Sequence, residues 1–183
     1  EAGVHEILTM DSHENIEIKI YNPNNFSVQL SDYKLGNAAT RGSSSQGMFK
    51  FKSLNLASKG VVVVTASKSD FAKAHPSYSG TLLQFDTDLT KYSAWAGGTV
   101  SLDNIGGTQV EEQVVLLDAK DDIVDLVNYG NPVTPTVGNV PIRVADVPES
   151  TSYERCPAGL DTNGGFIDGI NDPASNTDFV THD

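Results

Sequence analysis

Between Glu14 and Leu35 apolar and polar residues alternate. Ile16, Ile18 and Ile20 fall on one face, and Glu17, Lys19 and Tyr21 on the other. Successive side chains of a strand point to opposite faces, so this pattern predicts a half-buried β-strand and does not fit a helix. Asn22-Pro23-Asn24-Asn25 then predicts a turn, because proline fixes φ and asparagine tolerates turn geometry. Val28 and Leu30, then Tyr33 and Leu35, resume the alternation. Residues 14–35 therefore read as strand, turn, strand, short turn, strand.

The pattern continues in short units. Val4 to Leu8 predicts a first strand at a sheet edge, and the glycine- and serine-rich stretch 36–47 predicts a loop. Met48 to Phe51 alternates again. After the Lys59-Gly60 turn, the β-branched run Val61 to Ala66 suits a central buried strand. Ser67 to His75 is the one helix candidate, capped by Ser67 or Ser69 and stopped by Pro76. Thr81 to Phe85 reads as a further strand, and the polar, glycine-punctuated stretch 86–112 as a long insertion between core strands. Val114 to Leu117 and Ile123 to Tyr129 predict a hairpin across Asp118 to Asp122. A proline-rich connection follows, then Ser152 to Arg155 as the last strand and a tail rich in asparagine, aspartate and glycine. Many short strands separated by turn signals indicate an all-β sandwich or barrel.

At 183 residues the chain is expected to form one domain and to bury about 70% of its unfolded surface. Its formal charge of −12 repels phosphate backbones and anionic membranes, so neither nucleic-acid binding nor membrane insertion is expected. It favours cations, basic partners or plain solubility. Cys156 is the only cysteine, which rules out a disulfide within the chain and leaves an unused thiol or an intermolecular bridge. The longest aliphatic run, Val61 to Val64, is far short of a membrane span. No basic segment followed by an apolar one precedes Glu1, which fits a leader already removed or a chain cut from something larger. Abundant asparagine, serine, threonine and glycine with sparse lysine lean towards secretion.

Candidate chemistry is thin. His5, His13, His75 and His182 lack the clustered spacing of zinc ligands and read as surface or edge residues. Gly42-Ser-Ser-Ser-Gln-Gly47 lacks the apolar strand that precedes a nucleophile elbow, so catalysis is not expected. Calcium is the one cofactor for which ligands are in view. Asp161, Asn163, Asp168 and Asp172 offer hard oxygens beside flexible glycines, with Asp86, Asp88, Asp118, Asp121 and Asp122 as further candidates. The competing reading is that these residues make the Asx-turns common to β-protein loops. Trp95, with Tyr92 nearby, reads either as core or as an aromatic contact for a sugar or a protein.

Three ordered segments resemble the lamin-tail domain, an immunoglobulin-like β-sandwich. The first is Ile16-Glu-Ile…Tyr21-Asn-Pro continuing to Val28-Gln-Leu-Ser-Asp-Tyr-Lys-Leu35, similar to that family's opening hairpin. The second is Leu56-Ala-Ser-Lys-Gly-Val-Val-Val-Val64. The third is Val115-Leu-Leu-Asp-Ala…Ile123-Val-Asp-Leu-Val-Asn-Tyr-Gly130 with Ser152-Tyr-Glu-Arg-Cys-Pro-Ala-Gly159. The resemblance implies an immunoglobulin-like β-sandwich over residues 1–159, with one short helix and a long loop insertion. Residues 160–183 would be a polar tail packed on it or extending from it. No heptad stretch exists, so assembly by coiled coil is not expected. The resemblance further implies a non-catalytic, extracellular or cell-surface interaction module for protein or carbohydrate. The alternatives are a structural subunit of a filament or surface layer that joins copies of itself by strand exchange, and an accessory domain of a secreted hydrolase.

Overall fold

The computed structural model describes residues 3–9, 16–101, 111–130, 152–155 and 179–182. The alternation of Ile16, Ile18 and Ile20 becomes strand β2 (Ile16–Tyr21), preceded by β1 (Gly3–Thr9). After the Asn-Pro turn come β3 (Val28–Gln29), β4 (Lys34–Gly36), β5 (Met48–Phe51), β6 (Asn55–Leu56) and β7 (Val61–Thr65). Helix α1 (Lys68–Ala74) follows, then β8 (Thr81–Gln84) and β9 (Leu89–Lys91). The remaining described strands are β10 (Glu111–Leu117), β11 (Ile123–Gly130), β12 (Ser152–Arg155) and β13 (Phe179–His182).

These strands build an all-β sandwich. One sheet has the order β13-β12-β1-β2-β7-β8, the other β11-β10-β4-β5-β9, and β3 and β6 form a separate pair. Among the described strands only β7 and β8 pair in parallel, Val62 to Thr65 lying beside Thr81 to Gln84. The core sits between the sheets. Ile18, Ile20, Val62 and Val64 from the first meet Leu35, Phe49, Phe51, Val114 and Leu116 from the second, all essentially inaccessible to water. Each such side chain contributes about 1.5–3 kcal/mol by leaving water.

Helix α1 has its expected boundaries. Ser67 is its N-cap, accepting the Asp70 N–H, and His75 ends it. Phe71 is its buried residue and packs against the rings of His75, tilted, and Tyr78, edge to face, with centroids 4.6 and 5.1 Å away. His75 stays at the surface, its side chain 40% exposed, and has a partner there. Its Nε2 lies 3.0 Å from the carboxylate of Glu17, which projects from the face of β2 opposite the core and is only 4% exposed.

Several expectations are corrected. β1 is not an edge strand but lies between β2 and β12. The segment around Asn22-Pro23 is not a hairpin turn: β2 pairs with β1 and β7, β3 with β6, and β4 with β10 and β5. The turn carries the chain from the six-stranded sheet into the separate β3–β6 pair, and β4 then enters the other large sheet. Alternation reports which side chains face inward and is silent on which strand lies alongside. The stretch 86–112 is not wholly loop, since Leu89–Lys91 pairs with β5 as an edge strand. Ser152–Arg155 is not the last strand, because β13 pairs with it from residues of the tail.

Candidate recognition surface

β10 over residues 114–117, and β5 at Met48-Phe49, place apolar side chains on both faces. Phe49, Val114 and Leu116 enter the core between the sheets, while Met48, Val115 and Leu117, with Leu126 of β11, face the other way. Ala38, Ala39 and Ala96 bury this outer set, with Tyr92, Trp95 and Ile123 packed at its margin. A strand covered on both sides reads as a continuous apolar run, which is why 114–117 does not alternate.

Two loops, 37–47 and 92–101, provide the cover and are stitched to each other. The Gly42 N–H donates to the Trp95 carbonyl at 2.7 Å, Gly97 to Ser43 at 2.9 Å and Gly98 to Gln46 at 2.8 Å. The approach is close enough that a Cβ on Gly98 would stand 2.2 Å from the Ser45 carbonyl oxygen. Buried Asn37 ties the layer down. Its Oδ1 accepts from Gly47 N at 2.8 Å, its Nδ2 donates to the Ser101 carbonyl at 2.7 Å, and its own carbonyl accepts from Gln113 Nε2 at 2.9 Å.

This layer brings together the two aromatic residues singled out from sequence. Trp95 donates from Nε1 to the Ala38 carbonyl at 2.8 Å, which fixes the indole. Tyr92 donates its hydroxyl to Asp121 Oδ2 at 3.0 Å. Asp121 sits in the β10–β11 turn at φ 72° and collects three partners. Besides Tyr92 these are Arg41 Nη2 at 2.6 Å and Lys34 Nζ at 2.6 Å from Oδ1. Lys34 is 3% exposed, lies 5.1 Å from the Tyr92 ring centroid, and donates to the carbonyls of Asp118 and Ala119. Arg41 is 59% exposed, and its guanidinium carbon stands 5.1 Å from the indole centroid. Partial burial works against ionisation of Asp121, but its contacts with Lys34 and Tyr92 and the charges of Lys34 and Arg41 outweigh it. Its carboxyl is held below the ordinary aspartate value.

Sequence reasoning singled out Trp95 and Tyr92 and missed Arg41 and Lys34. A lone arginine in a glycine-serine loop was the available signal for Arg41. Lys34 gave none, since it occupies the polar position between Tyr33 and Leu35. Of the secondary calcium candidates, Asp118 Oδ1 accepts the N–H groups of Lys120 and Asp122 in an Asx-turn. Asp121 is held by cations, and Asp88 accepts from Gln84 N and pairs with Lys68 at 2.7 Å. Asp161, Asn163, Asp168 and Asp172 lie outside the described residues. Among the described residues no three His, Cys, Asp or Glu side chains converge as a metal site, and no helix is long and apolar enough to cross a membrane. No protein-family model matches the chain, and a search of the curated proteins returns no match.

Proposed function

We propose that the chain is a non-catalytic interaction module of the lamin-tail kind, acting outside the cell or on its surface. In this reading it docks a protein through Arg41, Tyr92 and Trp95. The supporting observation is that arginine, tyrosine and tryptophan, the types enriched in interface hot spots, meet on one loop layer already fixed by hydrogen bonds. A pre-ordered surface loses little conformational freedom on binding. A protein is favoured over a sugar because sugars stack on an open ring face, and here the Arg41 guanidinium lies over the indole.

The test is a binding screen of the immobilised chain against secreted and surface proteins, repeated with variants. Arg41→Ala is expected to weaken a captured partner by about tenfold or more, the loss of a hot-spot side chain. The melting temperature should hardly change, because an exposed ion pair contributes less than about 1 kcal/mol. The second variant is Trp95→Phe, since truncation to alanine would also open the outer core. Unchanged affinity in both variants would move the site elsewhere.

The placement of β1 supports a second reading, self-assembly by strand exchange. A β1 that leaves its slot exposes the pairing edges of both β2 and β12, and the matching strand of a second copy fits them. Light scattering on a sizing column at rising concentration tests it; a monomer throughout would refute it.

A further inference from the structure

The Asn22–Ser27 loop contains three asparagines, and two of them are spent on structure. Asn22 is fully buried and donates to the carbonyls of Phe26, Leu56 and Ala57, while Asn24 donates to Asn22 Oδ1 from both its N–H and its Nδ2. Asn25 is exposed, and neither its side chain nor that of exposed Ser27 makes a hydrogen bond. Between them stands Phe26, 65% exposed and the most exposed large apolar residue among those described. Asn25-Phe26-Ser27 is also an Asn-x-Ser acceptor sequence, and the pattern occurs nowhere else in the 183 residues.

We propose that Asn25 is an N-glycosylation site and that its glycan lies over Phe26. The step is a group transfer without redox change. Asn25 Nδ2 bonds to the anomeric carbon of a lipid-phosphate-linked oligosaccharide, and the bond from that carbon to the phosphate oxygen breaks. The lipid phosphate leaves, and the amide proton passes to a base of the membrane-bound transferase. The fold accommodates the product. Asn25 has no hydrogen bond to lose, and the buried Asn22 network holds the loop rigid beneath it. The same glycan accounts for the exposed phenylalanine, whose apolar ring the sugar would shield from water.

The proposal rests on the extracellular reading above, so the test separates the two. The chain is expressed behind a leader in a secretory host, beside a co-secreted control protein of known occupancy, and its intact mass is measured. The expected result is a glycan mass increment in the wild type and in Asn24→Gln, lost in Asn25→Gln and in Ser27→Ala. Amidase release should leave aspartate at position 25. An unmodified chain beside an occupied control overturns the site wherever the chain resides in its own organism. Fractionation of the source cells reads location separately. A cytosolic chain would overturn the extracellular reading and, with it, glycosylation in nature.

Discussion

Asn22 and Asp121 are two polar side chains that decide how their loops are held, and both act through neighbours rather than through bulk. The Asn22 amide faces three carbonyls, at 2.8 Å from Phe26, 3.1 Å from Leu56 and 2.9 Å from Ala57. Asn22→Asp keeps the shape but removes the donor and sets a carboxylate against those oxygens. Leaving buried groups unsatisfied costs about 1–3 kcal/mol, and more when charge is involved. Denaturant midpoints should therefore fall in the order wild type, Asn22→Ala, Asn22→Asp, and an aspartate variant as stable as wild type would refute the role. Asp121→Asn removes the ionic partner of the buried Lys34. Breaking such a pair costs about 3–5 kcal/mol when fully buried. With Asp121 15% exposed, about 2–3 kcal/mol is expected at neutral pH. Because the Asp121 carboxyl titrates lower in the folded than in the unfolded state, its stabilisation is complete above the ordinary aspartate range. It is lost as pH falls through the lower folded value. The stability gap between wild type and Asp121→Asn should accordingly close in acid, and a gap constant from neutral to acid pH would refute the pairing. At this scale the sequence was half legible. Asn22-Pro23 announced a turn and Trp95 announced an aromatic of interest, but no local pattern shows that Lys34 is buried or that an aspartate 87 positions further on receives it.

Strands are legible from sequence when they are long enough to repeat, and the partners they choose are not. β2, β5, β7, β10 and β11 stood out by alternation or by β-branched runs, and Ser67 with Pro76 bounded the helix. β9 has three residues, too few for a period to register, and β13 is separated from β12 by a long polar stretch. Which sheet a strand joins depends on close backbone approach, and β4 and β5 show it. Gly36 lies opposite Met48 in the ladder. A Cβ at position 36 would stand 2.1 Å from the Gly47 carbonyl oxygen and 2.8 Å from the Met48 Cα. Both obstacles are backbone, so no side chain can rotate away. Gly36→Ala must push β5 from β4 and loosen the outer core where Met48 and Val115 meet. Overpacking typically costs about 1–3 kcal/mol, and backbone contact puts this variant at or above the upper end. A thermal midpoint within experimental error of wild type would show that the strands slide apart freely.

For the whole molecule, β1 is the strand whose loss would spread furthest. Among the described strands, β12 pairs only with β1 and β13, so the β12–β13 pair joins the rest of its sheet through β1 alone. The opposite edge of that sheet is partly closed, because Asp88 occupies the Gln84 N–H. An incoming strand therefore finds fuller pairing in a vacated β1 slot than at β8. Removing residues 1–9 deprives β2 of one neighbour and leaves β12 and β13 as a two-stranded pair, which is marginal in water. The truncated chain should melt at least about 10 °C lower, since a domain of this size loses roughly 2–4 °C per kcal/mol. A synthetic peptide of residues 1–9, added in excess, should refill the slot and raise the melting temperature with a saturable dependence on its concentration. A scrambled peptide should not. Restoration by the native peptide would establish that the slot accepts a strand it is not covalently joined to, the physical requirement for exchange between copies. A truncated chain that melts like the full one, or that ignores the peptide, would remove that basis and leave the loop layer around Arg41 and Trp95 as the surface to pursue.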